Sequence, residues 1–302
     1  MPPKPNFMYS QYLPLKRNNM QKLSGIRKKI DVVDKKILNL LNARADYALD
    51  IAKIKESYGG EYYLPHREKK VITNINTMNK GPLSRENVEA IYQEILNSCR
   101  SLQRRLRIAY LGPEATFTHL AAIKNFGRYT DFISANSIAD VFSEVEKQRV
   151  DYGVVPIENS TEGVINHTLD MFMESAMLIC NEINLPEVRI IESSSTARLA
   201  KKARFLVIGR TTSKRSGQDK TSIVFSVKDH IGALYDMLVP FKKNKVNLTK
   251  IESRPTRKKA WEYVFFIDFL GHIEDKNVKS ALKELNRHCA FLKVLGSYPC
   301  AE

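Results

Sequence analysis

The sequence contains little cysteine, and the four that it has are far apart. They are Cys99, Cys180, Cys289 and Cys300 in a chain of 302 residues. No Cys-x-x-Cys pair or Cys/His cluster occurs, so the spacing predicts neither a metal site nor a disulfide framework. We interpret these thiols as buried or incidental in a protein of the reducing cytoplasm.

Long hydrophobic runs are also missing. The longest uncharged apolar stretches, such as 152–157 and 175–180, are far shorter than the ~20 residues that a membrane-spanning helix needs. Residues 1–20 are rich in Pro, Asn, Lys and Tyr and lack the apolar block of a secretory signal. We therefore expect no membrane segment, and we expect residues 1–20 to form a disordered tail.

Acidic residues are too few to balance the basic ones, which leaves a formal net charge of +15. This excess is compatible with nucleic-acid binding, with anionic small substrates or simply with a soluble surface. The basic residues are spread along the chain, with one local cluster made of Arg198, Lys201, Lys202, Arg204, Arg210, Lys214 and Arg215. We therefore do not expect nucleic acid to be a partner.

The first third of the chain has the pattern of an all-α domain over 21–106. Residues 21–58 form one predicted helix whose apolar side chains recur in steps of three and four, and Gly59-Gly60 ends it. A second helix is predicted from Pro65 to near Gly81-Pro82. A third is predicted from a Ser84 cap to about Leu106.

Short apolar strands and helices alternate after Arg107, which predicts an α/β region over 107–210. We predict a strand in RIAYLG, helices over 117–126 and 138–148, and a buried strand over 151–157. Residues 190–220 are basic and rich in hydroxyl groups, and we interpret them as partly linker.

The last segment, 220–299, has the element order βαββαβ. Strands are predicted in TSIVFSV, NLTKIESRP, WEYVFFIDFLG and FLKVLGSY, with helices over 232–245 and 276–289. This order is that of a ferredoxin-like α+β domain. The sequence therefore predicts a multi-domain protein with an all-α, an α/β and an α+β part.

Arg44 interrupts the apolar stripe of the long helix. Lys55 lies eleven residues further on, which at about 100° per residue brings it to nearly the same face, about 16 Å along the axis. A buried guanidinium is costly unless an anion meets it. That anion is either an internal carboxylate or a bound ligand, and the pattern alone leaves both open.

The helical segment resembles the all-α chorismate mutase family over about residues 22–105. The motifs are LSGIRKKIDVVDKKILNLLNARADYALDIAKIKE, YYLPHREKKVI and NSCRSLQ. The resemblance implies conversion of chorismate to prephenate, a rearrangement that needs no cofactor. It carries over the functional positions Arg27, Arg44, Lys55, Arg67, Glu68 and Gln103. One position departs, because Leu64 stands where the family often has an aspartate.

A homodimer is expected from the same helix. Arg27 lies seventeen residues from Arg44, about 25 Å along the axis, which is too far for one small substrate to bridge. An antiparallel partner helix would bring its own Arg27 into the site. The long apolar stripe needs a partner in any case.

The middle segment resembles prephenate dehydratase through AYLGPEATFTHLAA and DYGVVPIENSTEGVINHTLD. Thr116, Asn159 and Ser160 match polar positions of the first of the two lobes of that family. The His-Pro-Gln segment of the second lobe is absent, and Ala203-Arg204-Phe205 stands where Thr-Arg-Phe is expected. We therefore expect a truncated domain with impaired dehydratase activity, unless Thr196 or a neighbouring hydroxyl replaces the missing threonine.

The C-terminal segment resembles the phenylalanine-binding ACT domain, and the whole order resembles the bifunctional P-protein family of phenylalanine biosynthesis. Its two motifs are Gly232-Ala233-Leu234 and Glu252-Ser253-Arg254-Pro255. The resemblance implies that phenylalanine is the effector. A non-catalytic phenylalanine sensor whose helices only dimerise remains the alternative.

Overall fold

The computed structural model describes residues 12–159, 163–189, 200–227, 230–255 and 263–301. Within 12–18, 186–189 and 200–202 it describes the backbone alone. Ser160 and Thr196, two residues named for the dehydratase site, lie outside the described residues. The described part consists of a helical region, a mixed α/β lobe and a C-terminal α/β domain.

Three helices build the N-terminal region: α1 (Tyr12–Tyr58), α2 (Pro65–Met78) and α3 (Arg85–Gln103). The α3 cap is as predicted, with the Ser84 hydroxyl accepting a hydrogen bond from the Asn87 amide at 3.2 Å. α1 starts earlier than predicted, so residues 12–20 of the expected disordered tail are helical. Pro14 is tolerated there because the first turn of a helix does not need its amide hydrogens.

The apolar stripe of α1 is exposed in the single chain. Leu40 and Tyr47 are each 71% exposed, and other large apolar side chains along the helix are about half exposed. Ala48, Ala52 and Lys55 are buried, because this end of α1 packs against α3. Most of the stripe therefore has no cover within the described chain.

The α/β lobe contains one mixed sheet. Its elements are β1 (Arg107–Leu111), α4 (Phe117–Phe126), β2 (Asp131–Ala135), α5 (Ile138–Glu146), β3 (Tyr152–Asn159), β4 (Gly163–Val164), α6 (Asn166–Glu174), β5 (Leu178–Arg189) and β6 (Ala200–Gly209). The order is β2-β1-β3-β6-β5, with β4 on the end of β3. β1, β2 and β3 are parallel, and β6 is antiparallel to both neighbours.

The prediction that residues 190–220 are partly linker is wrong over Ala200–Gly209, which form β6. Phe205, Leu206, Val207 and Ile208 are all at most 3% exposed at the centre of the sheet. Because strands buried on both faces read as continuous apolar runs, this segment has the composition of a central strand. The flanking basic residues conceal that signal in the sequence.

The C-terminal domain confirms the predicted βαββαβ order. It contains β7 (Asp219–Val227), α7 (Ala233–Lys243), β8 (Leu248–Pro255), β9 (Tyr263–Leu270), α8 (Lys276–Leu285) and β10 (Cys289–Pro299). The antiparallel sheet has the order β10-β7-β9-β8, so β8 is an edge strand. Both helices cover one face of this sheet, around a core that includes Phe225, Phe241 and Phe269.

The opposite face of this sheet packs against the α/β lobe. Phe266, Leu295 and Tyr298 join Phe172 and Ile179 of the lobe in one continuous hydrophobic core. The backbones approach so closely that a Cβ atom at Gly296 would lie 2.2 Å from the Ile179 carbonyl oxygen. The lobe and the C-terminal domain therefore form one packed unit.

Candidate functional site

A cleft of about 470 Å³ lies between the three N-terminal helices. The lining residues come from one end of α1, from the turn after it, and from α2 and α3: Arg44, Tyr47, Ala48, Ile51, Lys55, Tyr62, Leu64, His66, Arg67, Glu68, Val71, Leu96, Cys99, Arg100 and Gln103. The basic and amide groups among them give the cleft the character of an anion site.

Five of the six residues predicted for the mutase lie at this cleft. They are Arg44, Lys55, Arg67, Glu68 and Gln103, and they come from three different helices. Leu64, where an aspartate is often found in the family, also lines it. Arg27 does not: it is exposed on α1, well away from the cleft.

Lys55 is buried without a carboxylate at salt-bridge distance among the described residues. Its side chain is 8% exposed, and its ammonium lies 5.4 Å from the centre of the Tyr62 ring. Burial lowers the pKa of Lys55, and the nearby charges of Glu68 and Glu61 offset this only in part. A negatively charged ligand would restore the interactions that this ammonium loses on leaving water.

Gln103 also has an unmet polar atom. Its side-chain Oε1 is buried and has no hydrogen-bond partner among the described residues. Since buried polar atoms are nearly always hydrogen-bonded, this orphan acceptor indicates a side-chain amide whose hydrogen-bond partners come from a bound molecule, and the amide nitrogen of the same side chain is its donor. This observation is independent of the charge on Lys55.

Glu68 is the carboxylate of the cleft, and Arg100 of α3 is bound to it. The Arg100 guanidinium donates from Nη1 to Glu68 Oε1, and the two side chains are 5% and 18% exposed. Sequence reasoning missed Arg100. The signal was available, because Asn97 and Arg100 are polar residues one helical turn apart on the buried face of α3.

Thr116 and Asn159, the two described residues predicted for the dehydratase, have structural partners. The Thr116 hydroxyl caps α4: it donates to the Pro113 carbonyl oxygen at 2.9 Å and accepts from the His119 amide at 3.4 Å. Asn159 is the last residue of β3 and lies opposite Ala203 of β6. Ala203 is 8% exposed, and its methyl group offers no hydroxyl at this position.

Arg204, next to Ala203, joins the lobe to the C-terminal domain. Its guanidinium donates to Glu182 on β5 at 2.9 Å and to Asp268 on β9 at 2.8 Å. Lys220 of β7 donates to both oxygens of the same fully buried Glu182 at 2.7 and 2.8 Å. These charges satisfy one another, so Arg204 is committed to an interdomain contact.

The two predicted effector motifs are apart in the single chain. Gly232, with a left-handed φ of 84°, precedes α7 and lines a cavity of about 310 Å³ together with Ala233 and Leu234. Glu252 and Arg254 face the lobe instead, and Arg254 donates to Asp170 at 2.5 Å. Ser253 and Pro255 are exposed on the edge strand β8.

The described residues contain neither a membrane-spanning helix nor a cluster of metal-ligating side chains. No described helix is long and apolar enough to cross a membrane. Among the same residues, no group of His, Cys, Asp and Glu side chains is arranged to hold a metal ion.

The fold and the cleft define a three-part protein: a helical domain with a cationic cleft, an α/β lobe and a ferredoxin-like domain packed against it. Protein-family comparison matches these parts in turn. Residues 26–104 match chorismate mutase type II, 108–201 match prephenate dehydratase and 221–287 match the ACT domain.

Relatives that align with nearly the whole chain are named for the same two activities. The chain is 41% identical over 358 aligned residues to the bifunctional chorismate mutase/prephenate dehydratase of Aquifex aeolicus, covering 93% of this chain and 99% of that protein. It is 37% identical to the protein of the same name from Pseudomonas aeruginosa, with coverage of 94% and 99%. The chain belongs to the bifunctional chorismate mutase/prephenate dehydratase family.

A solved structure supports the arrangement of the second and third parts. Prephenate dehydratase from Streptococcus mutans matches with a TM-score of 0.54 and 35% identity, covering 64% of this chain and 97% of that one. The N-terminal mutase domain, the dehydratase lobe and the ACT domain are therefore assigned.

The buried ammonium of Lys55 gives the first testable prediction. We expect Lys55→Met to raise the free energy of unfolding of the ligand-free protein by about 1 kcal/mol or more, because it removes a buried charge that lacks an ion-pair partner. Urea denaturation followed by circular dichroism measures this change.

Lys53→Met is the matched control on the same helix. Lys53 is exposed and pairs only with exposed Asp50, so its replacement should change the unfolding free energy by no more than about 0.5 kcal/mol. A loss of stability in Lys55→Met would contradict the prediction.

Proposed function

We propose that the helical cleft converts chorismate to prephenate. The observation that carries the proposal is the convergence of Arg44, Lys55 and Arg67 with Glu68 and Gln103 on one cleft. The reaction is a pericyclic rearrangement, so the protein needs no nucleophile and no cofactor. It must hold the substrate in its compact conformer and stabilise the negative charge that develops on the ether oxygen.

Each side chain has a distinct role in this mechanism. Arg44 grips one carboxylate, since a guanidinium can bind both oxygens of that group. Lys55 and Gln103 donate hydrogen bonds to the ether oxygen, where negative charge grows in the transition state. Glu68 accepts a hydrogen bond from the substrate hydroxyl, and Arg67 supports the carboxylate end of the site.

The sixth residue, Arg27, is supplied by a second copy of the chain. Two observations support a homodimer: the apolar stripe of α1 is exposed, and Arg27 does not line the cleft of its own chain. An antiparallel α1 helix from the partner covers the stripe and carries its Arg27 to the second carboxylate. Each active site then contains residues of both protomers.

Mixing two inactive variants tests this arrangement. We expect Arg27→Ala and Arg44→Ala each to lower kcat/KM for chorismate about 100-fold, because each removes a charge-assisted carboxylate contact. After the two variants exchange subunits at equal concentration, half of the dimers are mixed and each has one intact site. Turnover should then recover to about a quarter of the wild-type rate.

The separate variants, incubated in the same way without mixing, are the controls. A mixture no more active than the controls would mean that Arg27 acts within its own protomer or does not act in the site. Activity of Arg44→Ala equal to that of the wild type would remove the mutase assignment for this cleft.

We further propose that the dehydratase lobe is impaired. Ala203 cannot donate a proton or position a departing hydroxide, and Arg204 beside it is engaged by Glu182 and Asp268. The alignment with the Aquifex relative spans 358 positions, more than the 302 residues of this chain, which is consistent with a deletion. The remaining lobe closes its sheet with β5 and β6.

A two-substrate assay tests the impairment. Given prephenate, the purified protein should form phenylpyruvate no faster than a protein-free solution, whereas the same preparation should consume chorismate. The chorismate reaction is the internal control that the protein is folded. Phenylpyruvate formed by the wild type but not by Thr196→Ala would instead identify a substitute hydroxyl.

Phenylalanine is the proposed effector of the ACT domain. The support is the cavity at the start of α7, where Gly232 exposes backbone amides to a ligand carboxylate and apolar side chains surround the rest. Since Glu252 and Ser253 of the second motif lie elsewhere in the chain, the effector site is completed by a partner protomer. Regulation of the mutase would follow if phenylalanine binds its two states with different affinity.

Titration calorimetry with phenylalanine tests this site. We expect saturable binding to the wild type and about tenfold weaker binding to Gly232→Ala, in which a side chain enters a left-handed backbone position at the cavity. Gly217→Ala is the matched control, because Gly217 also has a positive φ with open space around it and does not line the cavity. Equal affinity of both variants would contradict the assignment.

We also propose that the protein is cytoplasmic and that it is neither a non-catalytic sensor nor a nucleic-acid-binding protein. The four cysteines are free thiols, and burial raises the pKa of the Cys180 thiol, which suits a protein of the reducing cytoplasm. The matches to two enzyme families disfavour the non-catalytic sensor. The positive charge is consistent with the anionic substrates chorismate and prephenate, which makes a nucleic-acid partner unnecessary.

A further inference from the structure

The carboxylate of the mutase cleft is held by a buried arginine at the wall of the same cleft. Arg100 binds Oε1 of Glu68 and is itself only 5% exposed. A carboxylate on a helix beside open solvent can adopt several rotamers, and each gives a different acceptor position. The ion pair with Arg100 selects one of them and leaves Glu68 Oε2 for a ligand hydroxyl.

The groups that hold Arg100 come from two domains. Within the helical domain, Arg100 Nη2 donates to Asn97 Oδ1 at 2.7 Å. From the dehydratase lobe, the Asn125 carbonyl oxygen accepts from Nη2 at 3.0 Å, and the Phe126 ring lies 5.5 Å from the guanidinium carbon. A buried guanidinium requires such partners, because each unmet donor is costly away from water.

Tyr63 completes the junction between these two domains. Its ring lies 5.0 Å from the Arg100 guanidinium carbon and 4.8 Å from the centre of the Phe126 ring. Its hydroxyl donates to Asn125 Oδ1 at 3.2 Å and accepts from Asn181 Nδ2 at 2.8 Å. The side chain is 1% exposed, in the core of the lobe.

A second set of contacts joins the helical domain to the segment that follows β6. Ser213 Oγ lies 3.5 Å from Nδ1 of His66, which lines the cleft, and the Thr211 hydroxyl donates to Glu61. The Ser213 carbonyl oxygen is in turn 3.0 Å from Nε2 of His272 in the ACT domain. Residues outside the helical domain therefore contact two residues that line the cleft, Arg100 and His66.

We propose that the dehydratase lobe forms a back wall behind the lining of the mutase cleft, and that Arg100 of the helical domain is a positioning residue that holds Glu68 for the substrate hydroxyl. This role rests on the proposed mutase function and does not require dehydratase activity. The lobe would therefore contribute to the mutase reaction even with Ala203 in place of the threonine of the Thr-Arg-Phe motif. The lobe supplies the Asn125 carbonyl and the Phe126 ring, and Arg100 transmits their position to Glu68.

A double-mutant cycle between Arg100 and Glu68 tests the positioning role. Arg100→Lys keeps the charge but loses the forked geometry, and we expect kcat/KM for chorismate to fall about tenfold. In a Glu68→Gln background, the same replacement should cause less than a twofold further loss, because the group that Arg100 positions is already changed. A purely structural role would give the same tenfold loss in both backgrounds.

The contribution of the lobe is tested by Phe126→Leu, with Phe142→Leu as the matched control. Both phenylalanines are buried in the lobe, at 1% and 0% exposure, but Phe142 packs against Phe172 instead of Arg100. We expect the decrease in kcat/KM for chorismate to be at least threefold larger in Phe126→Leu than in Phe142→Leu, when the two variants show the same decrease in melting temperature. This comparison also serves if Arg100→Lys does not fold.

The outcomes separate this proposal from the mutase assignment. Loss of chorismate turnover in the wild type itself would overturn the proposed function. Normal turnover in the wild type with an unchanged rate in Arg100→Lys, or with equal rates in the two phenylalanine variants, would overturn the back-wall role alone. A tenfold loss that disappears in the Glu68→Gln background supports it.

Discussion

A buried guanidinium is the constraint on which the N-terminal half of this structure depends. Arg100 can remain charged in the interior only if acceptors and aromatic faces surround it, and it finds them on both sides of a domain boundary. Glu68 and Asn97 lie on the helical side, and the Asn125 carbonyl lies on the lobe. The hydrogen bonds that this one guanidinium requires therefore fix both the packing of the two domains and the position of the Glu68 carboxylate.

A similar principle joins the other two parts. The fully buried Glu182 carboxylate is shared by Arg204 of the lobe and Lys220 of the ACT domain, and Asp268 takes a second contact from Arg204. Around these charges the lobe and the ACT sheet share one hydrophobic core. Packing against the ACT sheet therefore removes apolar surface of the lobe from water.

Contacts among all three parts of the chain lie where the proposed regulation by phenylalanine would act. The segment after β6 touches Glu61 and His66 of the helical domain and His272 of the ACT domain within three residues, 211–213. Coupling between an effector site and a catalytic cleft requires elements that both sites contact and that have two arrangements. The contacts of residues 211–213 meet the first requirement. The coupling free energy between the two sites is measured by the change in chorismate affinity when phenylalanine is bound.

The amino-acid sequence by itself determined the order of domains, the three N-terminal helices, the βαββαβ plan and five of the residues that converge on the cleft. The helices and strands follow from local signals, namely periodic apolar positions and the Ser84 cap. The five cleft residues follow from motifs that resemble the chorismate mutase family. It did not reveal β6, because its central apolar run is flanked by lysines and arginines, or the role of Arg100. The tertiary structure alone decided which cations are paired, since Arg100 and Glu68 are 32 positions apart in the chain. It also decided that Glu252 and Arg254 face the lobe, whereas the position of Arg27 outside the cleft of its own protomer was already expected from its separation from Arg44 of about 25 Å along the helix. Such pairings depend on how whole helices and sheets pack, and no local pattern carries that information.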